Sequence, residues 1–219
     1  MTYIKICGIT RLEDALVAAK AGADMLGLNF YKKSPRYIAP EIAAVLVANL
    51  RAALKSDTPL IVGLFVNEVV YTMATVASLV KLDAIQLSGD ESLEVIRELR
   101  VPAFKAIQPM SMAMGLEDVD YFASVMPTDE CLPSILLDAY HPSLRGGTGE
   151  TANIEVALAI KERVPRMMLA GGLTPENVAE RVHAIQPWAV DVASGVESGT
   201  PGVKDAAKVW AFVEMVRGI

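Results

Sequence analysis

One pattern recurs through the whole chain: a short apolar run is followed by a segment with helical periodicity. The pattern occurs eight times, at intervals of roughly 25 to 30 residues. Alternating strands and helices of this kind are typical of parallel α/β folds. The apolar runs, which we predict to be strands, are Tyr3–Ile6, Asp24–Phe30, Leu60–Val66, Asp83–Leu87, Ala103–Ile107, Ser134–Asp138, Met167–Leu169 and Ala189–Ala193.

Eight strand and helix units are the number in a (β/α)₈ or TIM barrel, and we predict this fold. An open, doubly wound sheet could give the same alternation, and periodicity alone does not exclude it. No linker composition divides the chain, so we expect residues 1–219 to form a single domain. The predicted helices lie at Leu12–Ala21, Pro40–Leu54, Glu68–Val80, Glu91–Leu99, within Gly115–Met126, at Ile154–Arg163, from Thr174 onward, and at Asp205–Val216.

Composition excludes several classes of protein. Apolar residues make up 53% of the chain, but no apolar run reaches the length of about 18 residues that a membrane span needs. A net charge of −6 argues against a nucleic-acid partner. The first strand begins too early to leave room for a signal peptide, and two cysteines form no disulfide framework. With only two histidines we expect no metal site, and we expect a cytoplasmic protein.

The first predicted strand ends at a cysteine. Alternation places Lys5 and Cys7 on one face of this strand and Ile4 and Ile6 on the other. Thr10 and Glu13 match a capping box, which would start the first helix directly after the turn and leave Cys7 at the carboxyl end of the strand. Ligands bind at that end in parallel α/β folds. The alternative is that the cysteine is simply a small buried hydrophobic residue.

A carboxylate ends the sixth predicted strand. Asp138 would lie at the same rim as Cys7, so the two groups could give and take a proton, although Asp138 could also merely cap its loop. A thiol is only slightly ionised at neutral pH, so a base role needs a nearby cation, for which Lys5 is a candidate. Alternatively, Lys5 forms an ion pair with Asp191 inside the barrel.

Small residues follow the last two predicted strands. In barrels these loops often bind phosphate, because backbone N–H groups can approach the anion closely. We therefore predict a phosphorylated ligand here, although such pairs can also be plain turns. The predicted binding residues are Gly171, Gly172, Ser194 and Gly195, together with Asp191 in the eighth predicted strand.

Arg36 follows Pro35 in the loop after the second predicted strand, where its guanidinium could bind a carboxylate through two parallel hydrogen bonds.

The stretch Gly146–Gly149 matches no nucleotide-binding fingerprint and indicates only flexibility. We expect structural roles for His141 and His183, and we expect Cys131 to contribute to packing.

Taken together, these motifs resemble the phosphoribosylanthranilate isomerase family from end to end. The matching segments are Lys5–Thr10, Ser34–Tyr37, Gly63–Asn67, Gln86–Leu87, Gly89–Glu91, Leu137–Asp138, Gly146–Gly149, Leu169–Val178, Asp191–Glu197 and Pro201–Asp205.

The resemblance implies an enzyme of tryptophan biosynthesis that needs no cofactor or metal and catalyses an Amadori rearrangement. It implies that Cys7 is the general base and Asp138 the general acid. Arg36 would hold the anthranilate carboxylate, and amides around Gly172, Ser194 and Gly195 would hold the phosphate. The sequence leaves open whether the protein is a monomer or a homodimer.

The chain departs from the family pattern at two places. Ser88 stands where the family usually has histidine, and Glu150–Ile154 differs from the usual sequence after the glycine loop. Both changes would alter the wall around the anthranilate ring. An isomerase of a related aminated sugar phosphate therefore stays open. A second alternative is a barrel that binds a sugar phosphate without catalysis, although the presence of both Cys7 and Asp138 argues against it.

Overall fold

The structure is a computed structural model that describes residues 1–139 and 153–219. Eight parallel strands form a closed barrel in chain order. The barrel closes where the first strand pairs with the last, with Lys5 in register with Asp191. The predicted barrel is thus confirmed, and the open sheet is wrong. The strands are β1 Tyr3–Cys7, β2 Met25–Asn29, β3 Leu60–Phe65, β4 Ala84–Leu87, β5 Ala103–Ile107, β6 Ile135–Leu137, β7 Met167–Leu169 and β8 Ala189–Val192.

A helix follows each strand and covers the outside of the barrel. The helices are α1 Leu12–Ala21, α2 Pro40–Leu54, α3 Val70–Val80, α4 Leu93–Glu98, α5 Met112–Phe122, α6 Ile154–Arg163, α7 Val178–Ile185 and α8 Ala206–Arg217. The start of α7 differs from the prediction of a helix from Thr174. The Asn177 side chain accepts from the Thr174 N–H and donates to the Gly172 carbonyl, so this segment is a turn that precedes the helix.

The predicted capping box at the start of α1 is wrong. The N-cap residue is Arg11, and no side chain caps the helix there. The hydroxyl of Thr10 instead donates a 2.6 Å hydrogen bond to the carbonyl of Gly202, in the loop after β8. Thr10 therefore ties the first loop to the last one across the barrel seam.

Two apolar layers support the mouth of the barrel. One lies between strands and helices and includes Ile4 and Ile6, which point outward from β1 as alternation predicts. The other fills the barrel interior. The functional candidates therefore lie on packed strands, at or just after their carboxyl ends. The interior layer consists of Met25, Val62, Ala84, Phe104, Leu132, Leu136, Met168, Ala170 and Ala189.

Within the described ranges, no helix is both long enough and apolar enough to cross a membrane. The glycine stretch Gly146–Gly149, His141 and the first part of the divergent segment, 150–152, lie outside the described residues.

Candidate active site

A cavity of about 1140 Å³ opens at the carboxyl ends of the strands. All of the predicted site residues except Gly195 line it, so residues from five different strand ends and loops meet in one place. This is the end of the barrel at which ligands bind in enzymes of this fold. The predicted residues that line the cavity are Cys7, Arg36, Asp138, Gly171, Gly172, Asp191 and Ser194.

Cys7 is the last residue of β1 and is buried, with 5% of its surface exposed. Gly27 on the neighbouring strand makes room for its thiol. A Cβ atom at position 27 would lie 2.7 Å from Sγ of Cys7 and 3.1 Å from Nζ of Lys5. Burial raises the pKa of the thiol above its ordinary value, and the nearby Lys5 charge opposes this only in part. The resting group is therefore a thiol.

Lys5 lies within the barrel beside this thiol. Its side chain is completely buried, and its Nζ is 2.9 Å from Oδ1 of Asp191. Burial alone would lower the pKa of Lys5, but the charges of Asp191 and of an ionised Cys7 outweigh it, so the pKa is raised. The structure therefore contains the Lys5–Asp191 ion pair, and the same ammonium also favours the thiolate form of Cys7.

Asp138 directly follows β6. Its Oδ2 accepts a 2.9 Å hydrogen bond from Nε2 of Gln108, and its Oδ1 accepts one of 2.9 Å from the Ala139 N–H. Burial raises the pKa of this carboxyl to about 6, against the effect of both hydrogen bonds. A carboxyl with this pKa can hold a proton close to neutral pH and give it up. Sequence reasoning missed Gln108, because an amide after a strand has no distinctive pattern.

Arg36 reaches the cavity from the loop after β2, and another carboxylate already holds one edge of its guanidinium. Nε and Nη2 of Arg36 donate 2.8 Å hydrogen bonds to Oε1 and Oε2 of Glu197. Lys204 places its Nζ 3.3 Å from the same Oε1. The sequence singled out Arg36 alone; Glu197 and Lys204 appeared only inside the matching motifs, without a role.

The turns after β7 and β8 need glycine for two different reasons. Gly171 and Gly172 adopt φ angles of +92° and +57°, in the left-handed region that favours glycine. At Gly195 the reason is space, since a Cβ atom would lie 1.9 Å from the carbonyl oxygen of Leu173. Gly195 does not line the cavity but lets the two turns approach each other. A short 3₁₀ helix, Ser194–Val196, follows β8 at this point.

The wall after β4 and β5 is polar. Nε2 of Gln86 donates a 3.1 Å hydrogen bond to the hydroxyl of Ser88, the residue at which the chain departs from the family pattern. Oε1 of Gln86 is buried and has no hydrogen-bond partner among the described residues. In the same wall, Glu91 accepts hydrogen bonds from the N–H groups of Asn67 and Gly89 and forms an ion pair with Lys105. These contacts fix the third, fourth and fifth strand ends relative to one another.

Across residues 1–139 and 153–219, no group of three or more His, Cys, Asp or Glu side chains is arranged to hold a metal ion.

Comparison with known proteins identifies the family. The family model described as N-(5'phosphoribosyl)anthranilate (PRA) isomerase matches residues 4–215. The chain belongs to this family. The resemblance inferred from the motifs is thereby confirmed, and the chain is an enzyme.

Curated phosphoribosylanthranilate isomerases are similar over their full length. The protein of Trichlorobacter lovleyi is 45% identical over 97% of both chains, and that of Geobacter sulfurreducens is 43% identical over 100% of both. The crystal structure of the Thermotoga maritima isomerase covers both chains completely, with 37% identity and a TM-score of 0.87. Another structure of the family, 35% identical with a TM-score of 0.83 and 100% coverage of both chains, contains reduced 1-(o-carboxyphenylamino)-1-deoxyribulose 5-phosphate.

Proposed function

We propose that this chain converts N-(5'-phosphoribosyl)anthranilate to 1-(2-carboxyphenylamino)-1-deoxyribulose 5-phosphate in tryptophan biosynthesis. The observation that carries the proposal is that one cavity contains both a buried thiol, Cys7, and a carboxyl with a pKa of about 6, Asp138. An aldose to ketose rearrangement needs one group that gives a proton and one that takes a proton. The family to which the chain belongs is named for this reaction.

Asp138 is the proposed general acid. Its proton passes to the ring oxygen of the ribose as the bond from that oxygen to C1 breaks and the nitrogen lone pair forms an imine. The raised pKa supports this role, because a carboxyl with an ordinary pKa would be almost fully ionised at neutral pH. Gln108 and the Ala139 N–H hold both carboxyl oxygens in place, and they stabilise the carboxylate that remains after transfer.

Cys7 is the proposed general base. Its thiolate removes the proton from C2 of the open-chain imine, which gives an enolamine, and the enolamine then tautomerises to the ketone. The ammonium of Lys5 supports this role, because it lowers the pKa of a thiol that burial raises. Lys5 is also paired with Asp191, so ionisation of Cys7 leaves one net negative charge on the three groups, and the Asp191 charge helps to keep the pKa of the thiol raised.

The two anionic ends of the substrate need separate binding groups. We propose that Arg36 binds the anthranilate carboxylate and that the backbone around Gly171, Gly172, Ser194 and Gly195 binds the phosphate. The close approach of the two glycine turns supports the phosphate site, since it exposes backbone rather than side chains. No step of this mechanism requires a cofactor. A cytoplasmic location and a monomeric or homodimeric state stay predictions.

A related aminated sugar phosphate is the second candidate substrate. Ser88 is smaller than the histidine usual in the family, and the buried Oε1 of Gln86 beside it lacks a partner in the described part of the chain. This wall could admit a polar imidazole-carboxamide group in place of the anthranilate ring.

Turnover of the purified protein on both substrates decides between these functions. We expect conversion of phosphoribosylanthranilate and growth of a tryptophan-requiring strain that lacks this isomerase. Exclusive use of the imidazole-carboxamide aminoaldose would favour the second candidate. Binding of sugar phosphate without turnover of either substrate would contradict both candidate functions.

A further inference from the structure

We propose that Glu197 is a positioning residue: it holds the guanidinium of Arg36 by one edge and thereby presents the opposite edge to the substrate carboxylate. This inference rests on the proposed function, in which Arg36 binds that carboxylate. Glu197 itself is not among the residues that line the cavity, whereas Arg36 is. Its effect on substrate must therefore pass through Arg36.

The hydrogen bonds define which edge of Arg36 is used. A guanidinium is planar and carries five N–H donors in a fixed fork, so holding two of them fixes the plane of the whole group. Glu197 takes one N–H from Nε and one from Nη2, each at 2.8 Å. Nη1 and the second N–H of Nη2 form the other edge, which matches a second carboxylate in the same two-bond geometry.

Glu197 is itself held by residues of the loop after β8. Its side chain is only 6% exposed. The Gly202 N–H donates a 2.9 Å hydrogen bond to Oε1, and Lys204 binds the same oxygen at 3.3 Å and the Ala193 carbonyl at 2.8 Å. Arg36 therefore binds a carboxylate that the loop after β8 already holds in place. The Arg36 side chain thus loses its conformational freedom before the substrate binds.

Charge and position both favour a ligand carboxylate here. The cluster contains two cations, Arg36 and Lys204, and one anion, Glu197, so one positive charge is left to be balanced by the ligand. The stem of Arg36 also crosses directly above the turn after β1, since a Cβ atom at Gly8 would lie 2.6 Å from its Cδ. Gly8 follows Cys7 in the chain, so a carboxylate held by Arg36 would fix the aromatic end of the substrate close to the proposed base.

The test uses two product analogues that differ only in the carboxylate. One is reduced 1-(o-carboxyphenylamino)-1-deoxyribulose 5-phosphate, and the other is reduced 1-phenylamino-1-deoxyribulose 5-phosphate. Calorimetry gives Kd for both with the wild type, Glu197→Gln, Arg36→Ala and the double variant. Glu197→Gln should weaken binding of the carboxylated analogue by about tenfold and leave the other nearly unchanged. In the Arg36→Ala background the same change should have almost no further effect.

The outcomes separate this inference from the function on which it rests. If Arg36→Ala does not change the ratio of the two Kd values, the carboxylate clamp of the proposed function is wrong. If Arg36→Ala removes the preference for the carboxylated analogue but Glu197→Gln keeps that preference, Glu197 does not position Arg36. Equal weakening of both analogues by Glu197→Gln would show a general structural role and also overturn the inference.

Two further variants complete the design. Asp83→Asn is the matched control, because it breaks the Arg51–Asp83 ion pair, whose residues do not line the cavity, and should leave the Kd ratio unchanged. Glu197→Asp keeps the charge but withdraws it by one methylene. It should retain part of the preference, and it tests the inference if Glu197→Gln does not fold. If Glu197→Asp and Glu197→Gln both keep the full wild-type preference for the carboxylated analogue, the Glu197 carboxylate does not position Arg36.

Discussion

The side-chain amide of Gln108 donates a 2.9 Å hydrogen bond to Oδ2 of Asp138 at the mouth of the barrel. This bond favours the ionised carboxylate and thus opposes the burial that raises the pKa of Asp138 to about 6. The pKa of Asp138 therefore depends first on burial and then on the amide of a residue at the neighbouring strand end.

The pH profile follows from the two proton-transfer groups. The reaction needs Asp138 protonated and Cys7 ionised, although the pKa of the thiol lies above its ordinary value and that of the carboxyl is about 6. Only a small fraction of the enzyme then has Asp138 protonated and Cys7 ionised at the same time. This fraction is constant between the two pKa values. We expect kcat/KM to rise with pH up to about 6, to stay level, and to fall where Cys7 ionises.

Gln108→Leu tests the assignment of the acidic limb. Removing the hydrogen bond should raise the pKa of Asp138 further, so the acidic limb of kcat/KM should move to higher pH. The basic limb, which belongs to Cys7, should stay in place. Profiles of wild type and variant over the same pH range provide the measurement, and an acidic limb that does not move would show that Asp138 is not the group responsible.

Gly27→Ala tests the space that the thiol requires. The new Cβ atom would lie 2.7 Å from Sγ of Cys7 and 3.1 Å from the backbone Cα of the same residue, so the thiol must move. We expect kcat to fall by about tenfold or more, since small displacements of reacting groups are costly. Steady-state kinetics checks this, and a normal kcat would mean that the position of the thiol is not critical.

Lys5→Met tests the buried ion pair. The change leaves Asp191 without its partner inside the barrel, and we expect a loss of about 3–5 kcal/mol in the free energy of unfolding. Adding Asp191→Leu should recover most of that stability, because both charges are then gone, but should not restore turnover. Urea unfolding and kinetics of the single and double variants measure the two effects separately. Recovery of activity in the double variant would rule out an electrostatic role for Lys5 at Cys7.

The fold could be predicted from sequence because its main determinant is periodic. Alternation along Tyr3–Ile6 correctly placed Ile4 and Ile6 toward the helices, and the eight repeats gave the number of strands. Closure of the barrel depends on pairing between residues such as Lys5 and Asp191, which are 186 positions apart. The sequence offered this ion pair only as an alternative role for Lys5, because no local pattern shows which distant residues meet. That residues 1–219 form one domain stays a prediction.

The site was predictable only in part. Strand ends and glycine turns indicated seven of the residues that line the cavity, whereas Gly195 does not line it; the roles of all eight stay predictions. The partners of these residues were not foreseen. Glu197 is 161 positions from Arg36, and Gln108 is 30 positions from Asp138. Thr10 was assigned to a helix cap because its local sequence fits one, whereas its hydroxyl binds a distant carbonyl.

The proposed acid and base can be removed one at a time. Asp138→Ala should lower kcat by about 100-fold or more, the usual scale for loss of a proton-transfer group. Asp138→Asn keeps the shape of the side chain without an acidic proton, and it should be impaired to a similar degree. Substantial turnover by Asp138→Asn would show that another group protonates the sugar.

Cys7→Ala measured beside Cys131→Ala tests the central claim most directly. Cys131, the other free cysteine, is exposed, so the prediction that it contributes to packing is wrong. Its replacement controls for the loss of a thiol outside the cavity. With purified variants and saturating phosphoribosylanthranilate, we predict that Cys7→Ala lowers kcat by about 100-fold or more while Cys131→Ala retains wild-type kcat. A kcat of Cys7→Ala close to that of Cys131→Ala would contradict the assignment of Cys7 as the base.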